Sequence, residues 1–290
     1  MRVLITGKDS YIGLNIRSYL EKHNYSVDEA DMLTDAWKDY DFSNYETVIH
    51  VAAVVHENAK SSDWEKFKKV NVQLVKDVAA KAKAEGVKQF IFFSTMAVYG
   101  QDKKLPKGNV INKDTPILPT SMYGKSKYMA EQILEDLVDD NFKVAVLRPP
   151  NVYGNNCPGN YIAAFRTITK ILPFFPYAYS NSKQSFIYIE NLSNLVRLII
   201  ENKSCGIFMP QDDFIPSTND LLKMIAEATG NKIRFSRFLG FFVRIFRFVP
   251  LVNKLYGGVS YDECMSNSFD CKYRVVSFEE GIKKTFEDEV

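Results

Sequence analysis

With 290 residues, of which 46% are hydrophobic and 25% charged, the chain can bury a large α/β core and is too apolar to be disordered. A net charge of +2 excludes a strongly basic nucleic-acid binder, so no nucleic-acid partner is expected. The four cysteines include no Cys-x-x-Cys pair and only three histidines accompany them, which is not a zinc-ligand spacing; no metal is expected, and such sparse cysteine usage suits a cytoplasmic setting.

The first apolar stretch, 2–6, reads as a strand and not as a signal peptide, because glycine closes it and no small-residue cleavage site follows. Further strands are expected at 26–30, 46–51, 88–94 and 142–148, with helices over 11–22, 64–85 and 122–139 between them. That alternation predicts an α/β fold, a Rossmann-like doubly wound parallel sheet. Pro149-Pro150 ends the fifth strand, and Asn155-Asn156-Cys157-Pro158-Gly159-Asn160 is a turn cluster that opens a new segment. A strand over 185–189 and a helix over 190–201 are expected to return to the sheet. No run has the roughly 20 uncharged apolar residues of a membrane span. The nearest, 238–252, is broken by Arg244, Arg247 and Pro250.

Strand 2–6 runs into Thr6-Gly7-Lys8-Asp9-Ser10-Tyr11-Ile12-Gly13 and then a helix, the position of a dinucleotide-binding loop. Gly7 suits the tight turn and Gly13 close helix packing, with Ser10 where a glycine is usual. Asp31 lies 18 residues past Gly13, at the end of the second strand. A carboxylate there suits the ribose hydroxyls and repels a 2′-phosphate, favouring NAD over NADP; Asp28 and Glu29 are rivals. After the fourth strand come Ser94 and Thr95, and Tyr123-Gly-Lys-Ser-Lys127 opens a helix. Tyrosine and lysine at i and i+4 share a helix face, so the ammonium can stabilise a phenolate acting as a base, with the Thr95 hydroxyl holding a substrate hydroxyl in line.

In Thr6 to Gly13, Asp31, His50-Val51-Ala52-Ala53, Asn71, Phe93-Ser94-Thr95, Tyr99-Gly100, Tyr123 to Lys127, Leu147-Arg-Pro-Pro-Asn151 and Tyr188 to Leu192, the chain resembles the extended short-chain dehydrogenase/reductases, in particular the nucleotide-sugar epimerases and dehydratases. The resemblance implies bound NAD, a nucleotide-sugar substrate, a homodimer through the helices over 64–85 and 122–139, and Thr95, Tyr123 and Lys127 as the catalytic set. It implies cofactor contacts at Gly7, Ser10, Tyr11, Ile12, Gly13, Asp31, Asp41, Phe42, Val51, Ala52, Ala53, Asn71, Ser94, Tyr123, Lys127 and Pro150. Substrate contacts are implied at Thr95, Met96, Asn151, Asn160 and Gln184, and His50 is assigned to packing. The implied organisation is an NAD-binding domain over 1–155, rejoined by 184–204, and a smaller C-terminal substrate-binding subdomain from 156–183 and 205–290.

The departures narrow the chemistry. Related dehydratases carry Asp-Glu after the threonine, where this chain has Met96-Ala97 with no proton to give. A 4-epimerase is therefore the first expectation and a 4-keto-sugar reductase the second; a non-catalytic dinucleotide-sensing protein is disfavoured by the intact Thr95, Tyr123 and Lys127. The arginine that clamps the substrate diphosphate in such enzymes is replaced by Gln184, leaving Lys183, Arg237, Lys272 or Arg274 to compensate. The aromatic, basic stretch 237–254 is expected to bury its aromatics in the small subdomain, the other reading being a peripheral membrane contact.

Overall fold

The computed structural model describes residues 1–55, 63–100, 105–159 and 161–287. In the first half, β1 (Arg2–Thr6), α1 (Tyr11–Lys22), β2 (Ser26–Ala30) and β3 (Thr47–His50) are followed by α2 (Trp64–Phe67) and α3 (Leu74–Ala84), then β4 (Gln89–Phe93), β5 (Asn109–Ile111), α4 (Met122–Glu135) and β6 (Lys143–Leu147). The second half contains β7 (Asn151–Tyr153), α5 (Tyr161–Ile171), β8 (Phe174–Pro176), β9 (Phe186–Tyr188), α6 (Ile189–Glu201) and β10 (Gly206–Phe208). It closes with α7 (Thr218–Ala228), β11 (Arg234–Ser236), α8 (Arg237–Ile245), α9 (Pro250–Tyr256), β12 (Val259–Tyr261) and α10 (Phe278–Thr285).

The central sheet is parallel and six-stranded, in the order β2-β1-β3-β4-β6-β10. Its strands are apolar throughout because both faces are covered. Val3, Ile5, Ile49, Ile91, Phe93, Ala145 and Leu147 pack on the side of α1 and α6. The alternate residues Leu4, Val48, Phe90, Phe92, Val144 and Val146 pack with Val75, Val78 and Ala82 of α3 and Ala130 and Leu134 of α4. This is the doubly wound α/β arrangement the alternation predicts.

Two elements differ from the sequence expectation. The strand near 185–189 pairs with β7 and not with the central sheet, whose outer edge is β10, from a stretch expected to lie in the subdomain. The helix expected over 64–85 contains a π-helical stretch, Lys68–Gln73, between α2 and α3.

The C-terminal part is tied down by Asp212. Its carboxylate accepts hydrogen bonds from the Tyr153 hydroxyl (2.8 Å), the Asn191 amide (2.8 Å) and the Tyr188 N–H. Asn191 also takes the N–H groups of Val275 and Val276, joining α6 to the approach to α10. The aromatics of 237–254 are a correction to the expected burial: Phe238, Phe241 and Phe248 are 72%, 61% and 74% exposed. The cause is that α8 meets the body through Gly240, the one residue of that helix that is buried.

Candidate active site

Parallel register aligns Thr6 with His50 and His50 with Phe92, so the turns after β1, β3 and β4 emerge side by side. The sheet order reverses between β1 and β3, which makes this the crevice where such sheets hold ligands. Gly7 has φ +119°, and a side chain there would put its Cβ 2.8 Å from the Ala52 nitrogen. Only glycine allows the turn to lie against that strand end. The N–H groups of Val51 and Ala52 both donate to the Thr6 carbonyl, which fixes the start of Val51-Ala52-Ala53.

Ser10 is the N-cap of α1, and its hydroxyl accepts the Gly13 N–H at 3.2 Å. The serine therefore stabilises the helix start where a glycine is usual. Ile12 packs against the core, and Tyr11 carries its hydroxyl across to Gly154. At the end of β2, Asp28 is paired with Arg2 and Glu29 with Arg17, whereas exposed Asp31 accepts only the Leu33 N–H of its own turn among the described contacts. The geometry thus separates Asp31 from its rivals.

Not every expected cofactor residue faces the crevice. The Phe42 ring lies in the core with Trp37 and Tyr45, its N–H donates to Glu85 at 2.6 Å, and the Asp41 carboxylate is held by Ser43 and Asn44. Asn71, in the π-helical stretch, exchanges hydrogen bonds with both the N–H and the carbonyl of Val54 and donates to Ser126. It acts on the crevice by holding the strand-end loop against α4. Asn160 and His56 lie outside the described residues. His50 is fully buried between Phe90 and Phe92 with Nδ1 2.7 Å from the Thr6 hydroxyl, and burial together with the charge of Lys127 depresses its pKa to about 3.

A cavity of about 260 Å³ opens beyond β4 and β6. Of the residues expected at the substrate, Thr95, Met96, Asn151 and Gln184 line it, together with Pro150, expected at the cofactor, and Ala97, Gly100, Thr120, Ser121, Pro149 and Val259 complete the wall. No carboxylate is among these lining residues. The Met96 N–H donates to the Pro149 carbonyl at 3.0 Å, which draws the two strand ends together. Ser121, N-cap of α4, accepts the Gly124 N–H, and a Cβ at Gly124 would stand 2.6 Å from the Ala97 carbonyl oxygen. Glycine at 124 therefore lets the first turn of α4, carrying Tyr123, seat against the turn that carries Thr95.

Lys127 is buried; its ammonium donates to the Phe93 carbonyl at 2.7 Å and stands 6.0 Å from the centre of the Tyr123 ring. Burial lowers the Lys127 pKa to about 7, opposed by the negative charge of Glu131, and burial raises that of Tyr123 to about 12. Glu131 and Arg148 are the residues sequence reasoning missed. They form a buried ion pair at 2.6 Å beneath the site, in which Ser94 donates to Glu131 and Arg148 donates to the Tyr99 hydroxyl at 2.9 Å. The available signal was helical phase, since Tyr123, Lys127 and Glu131 recur every four residues on one face. Of the proposed substitutes for the missing arginine, none lines the cavity; Arg274 donates to the Gln211 carbonyl and Lys183 lies over the Phe214 ring.

Among known proteins, the chain is 26% identical over 248 residues to UDP-glucose 4-epimerase of Vibrio cholerae, covering 78% of this chain and 75% of that protein. It is 25% identical over 250 residues to N-acetyl-alpha-D-glucosaminyl-diphospho-ditrans,octacis-undecaprenol 4-epimerase of Escherichia coli O157:H7, covering 80% and 73%. Its fold matches UDP-glucuronic acid 4-epimerase of Bacillus cereus, solved with NAD, at a TM-score of 0.74 and 17% identity over 99% of this chain and 96% of that one. Residues 3–208 match the model of one family, which spans the crevice, the Tyr123 helix and the central sheet. The chain belongs to the NAD dependent epimerase/dehydratase family.

Proposed function

We propose that the protein is an NAD-dependent 4-epimerase of a nucleotide-linked sugar, of the UDP-hexose or UDP-N-acetylhexosamine class. The observation that carries the reading is the cavity itself, with Thr95 on its wall, the Tyr123–Lys127 face beside it and no carboxylate among its described lining residues. The crevice fits a dinucleotide. Gly7 leaves room for close backbone approach, the first N–H groups of α1 at Tyr11 and Ile12 suit a diphosphate, and Asp31 suits the ribose diol. When bound in its oxidised form, NAD supplies the hydride acceptor and a second positive charge near the phenol.

In this reading Tyr123 takes the proton of the sugar 4-hydroxyl and later returns it, while Thr95 holds that hydroxyl in line. Asn151 and Gln184 hold the part of the substrate that extends along the cavity wall. A phenol at about 12 must fall by roughly five units to act at neutral pH, about 7 kcal/mol. The Lys127 ammonium at about 6 Å contributes roughly 3 kcal/mol at an effective dielectric near 20, which leaves the remainder to the bound cofactor's charge. Glu131, neutralised in part by Arg148, opposes the effect of burial on Lys127, whose pKa of about 7 leaves it about half protonated near neutrality. Met96 and Ala97 offer no acid for dehydration.

The test is to incubate the protein and NAD with UDP-sugars, following C4 configuration by NMR together with absorbance at about 340 nm, the reduced-nicotinamide band. Interconversion of C4 epimers without net absorbance change is expected. Consumption of NADH with 4-keto sugars and no epimerisation would replace the reading by a reductase. We also propose a cytoplasmic homodimer through α3 and α4, whose outward positions Ala80, Ala84 and Met129 are exposed; the unpaired cysteines support the compartment.

A further inference from the structure

The C-terminal part carries a surface that neither the cavity nor the crevice uses. Along α8 and the turn after it, Phe238, Phe241, Phe242, Ile245, Phe246 and Phe248 are exposed. The rings of Phe238, Phe241 and Phe242 pack together, with Phe238 to Phe242 at 5.2 Å and Phe241 to Phe242 at 5.8 Å between centroids. Leu251 of α9 extends it. Because β11 pairs with β8, exposed Phe174 lies beside the strand that leads into α8. Five phenylalanines between 43% and 74% exposed present on the order of 600 Å² of aromatic surface, at the upper end of what a monomer leaves bare.

The charge around this face is of one sign. No Asp or Glu occurs between Asp140 and Glu190, or between Glu227 and Asp262, the two stretches that build it. Arg237, Arg244, Arg247 and Lys254 stand exposed along it, and none makes an ion pair among the described residues. Arg244 and Arg247 also line a cleft of about 310 Å³ with Tyr179, Ser180, Asn181 and Pro106. Among the described residues no helix is long and apolar enough to cross a membrane, so an apolar layer fringed by arginines has the form of an interfacial contact.

We propose that this face docks the protein on an anionic lipid bilayer, the phenylalanines entering the acyl boundary and the arginines meeting the phosphates. A neutral apolar partner would leave the acid-free rim unexplained, whereas a bilayer of anionic headgroups matches both parts of the surface. The contact stands apart from the reaction assigned to the cavity and can fail without it. Asn181 on the arginine cleft and Gln184 on the Thr95 cavity are three residues apart, so the chain linking them spans at most about 10 Å. Docking therefore holds the cavity near the headgroup layer.

The experiment is vesicle co-sedimentation of the full chain with phosphatidylcholine alone and with phosphatidylcholine containing phosphatidylglycerol. Binding to the anionic vesicles is expected at least tenfold above that to the neutral ones, weakening in high salt. Phe241→Ser with Phe248→Ser, and separately Arg244→Glu with Arg247→Glu, should each lower it about tenfold without lowering the melting temperature, since these side chains are exposed. Absence of vesicle binding, or equal binding by the variants, overturns the proposal. Loss of self-association in the phenylalanine variant, with no vesicle binding by the parent, would assign the face to a second copy of the chain instead.

Discussion

A phenol with no cation beside it is a poor base near neutrality, so the burden on Lys127 can be measured. Replacing Lys127 by Met removes the charge that stabilises the phenolate, which raises the Tyr123 pKa. The acid limb of the pH–rate profile then moves to higher pH by about two units, and turnover at pH 7 falls about 100-fold. Tyr123→Phe removes the proton acceptor altogether and should lower turnover by at least about 1000-fold while the melting temperature holds, since only a hydroxyl is lost. Full activity in that variant would remove Tyr123 from the mechanism. At the other end of the crevice, Asp31→Asn takes away the carboxylate offered to the ribose diol. NAD should bind about tenfold more weakly, read by titration calorimetry; Asp28→Asn, whose carboxylate is committed to Arg2 and Tyr45, should leave NAD binding unchanged.

At the scale of elements, the same physics explains what could be read and what could not. Strands β1, β3, β4 and β6 are legible because both faces of each are covered, so that neighbours such as Leu4 and Ile5 enter different cores and the run is apolar end to end. The three-residue strands β5 and β12 carry no such run; they exist because Asn109–Ile111 and Val259–Tyr261 meet across just over half the chain. Likewise β10 begins on a glycine and is fixed by pairing with β6, which no local pattern announces. In the site, the spacing of Tyr123 and Lys127 puts them on one face of α4, while Thr95 is reached only through the order of the motifs around it. The function of Asn71 as a clamp on Val54 could not be read in either way, since it depends on a π-helical stretch that offsets the helix by one residue. Asp212 is similar, a single carboxylate joining β7, β9 and α6. Asp212→Ala strands three donors, and a loss of about 3 kcal/mol, near 8 °C in melting temperature, is expected by calorimetry.

Across the whole molecule the two ends of the sheet's carboxyl edge have different surroundings. The crevice at β1 and β3 lies beside carboxylates at Asp28, Glu29 and Asp31, while none of the described residues lining the cavity beyond β6 is acidic. In the proposed reading an anionic diphosphate at that second end meets no carboxylate among the described lining residues, and Glu131 beneath the site is paired with Arg148. Gln184→Arg should accordingly tighten a UDP-sugar about tenfold, read as a lower KM with kcat little changed.

The seat of α8 carries one more consequence. Gly240 lies so close to the Tyr177 backbone that any Cβ would stand 2.0 Å from its carbonyl oxygen. A methyl group there must lift the aromatic helix away from the body while leaving Thr95, Tyr123 and Lys127 where they are. In genetic terms, the proposed docking makes missense alleles at this codon separate location from chemistry: an enzyme still competent in a dilute extract, yet defective in a cell that requires it at the bilayer.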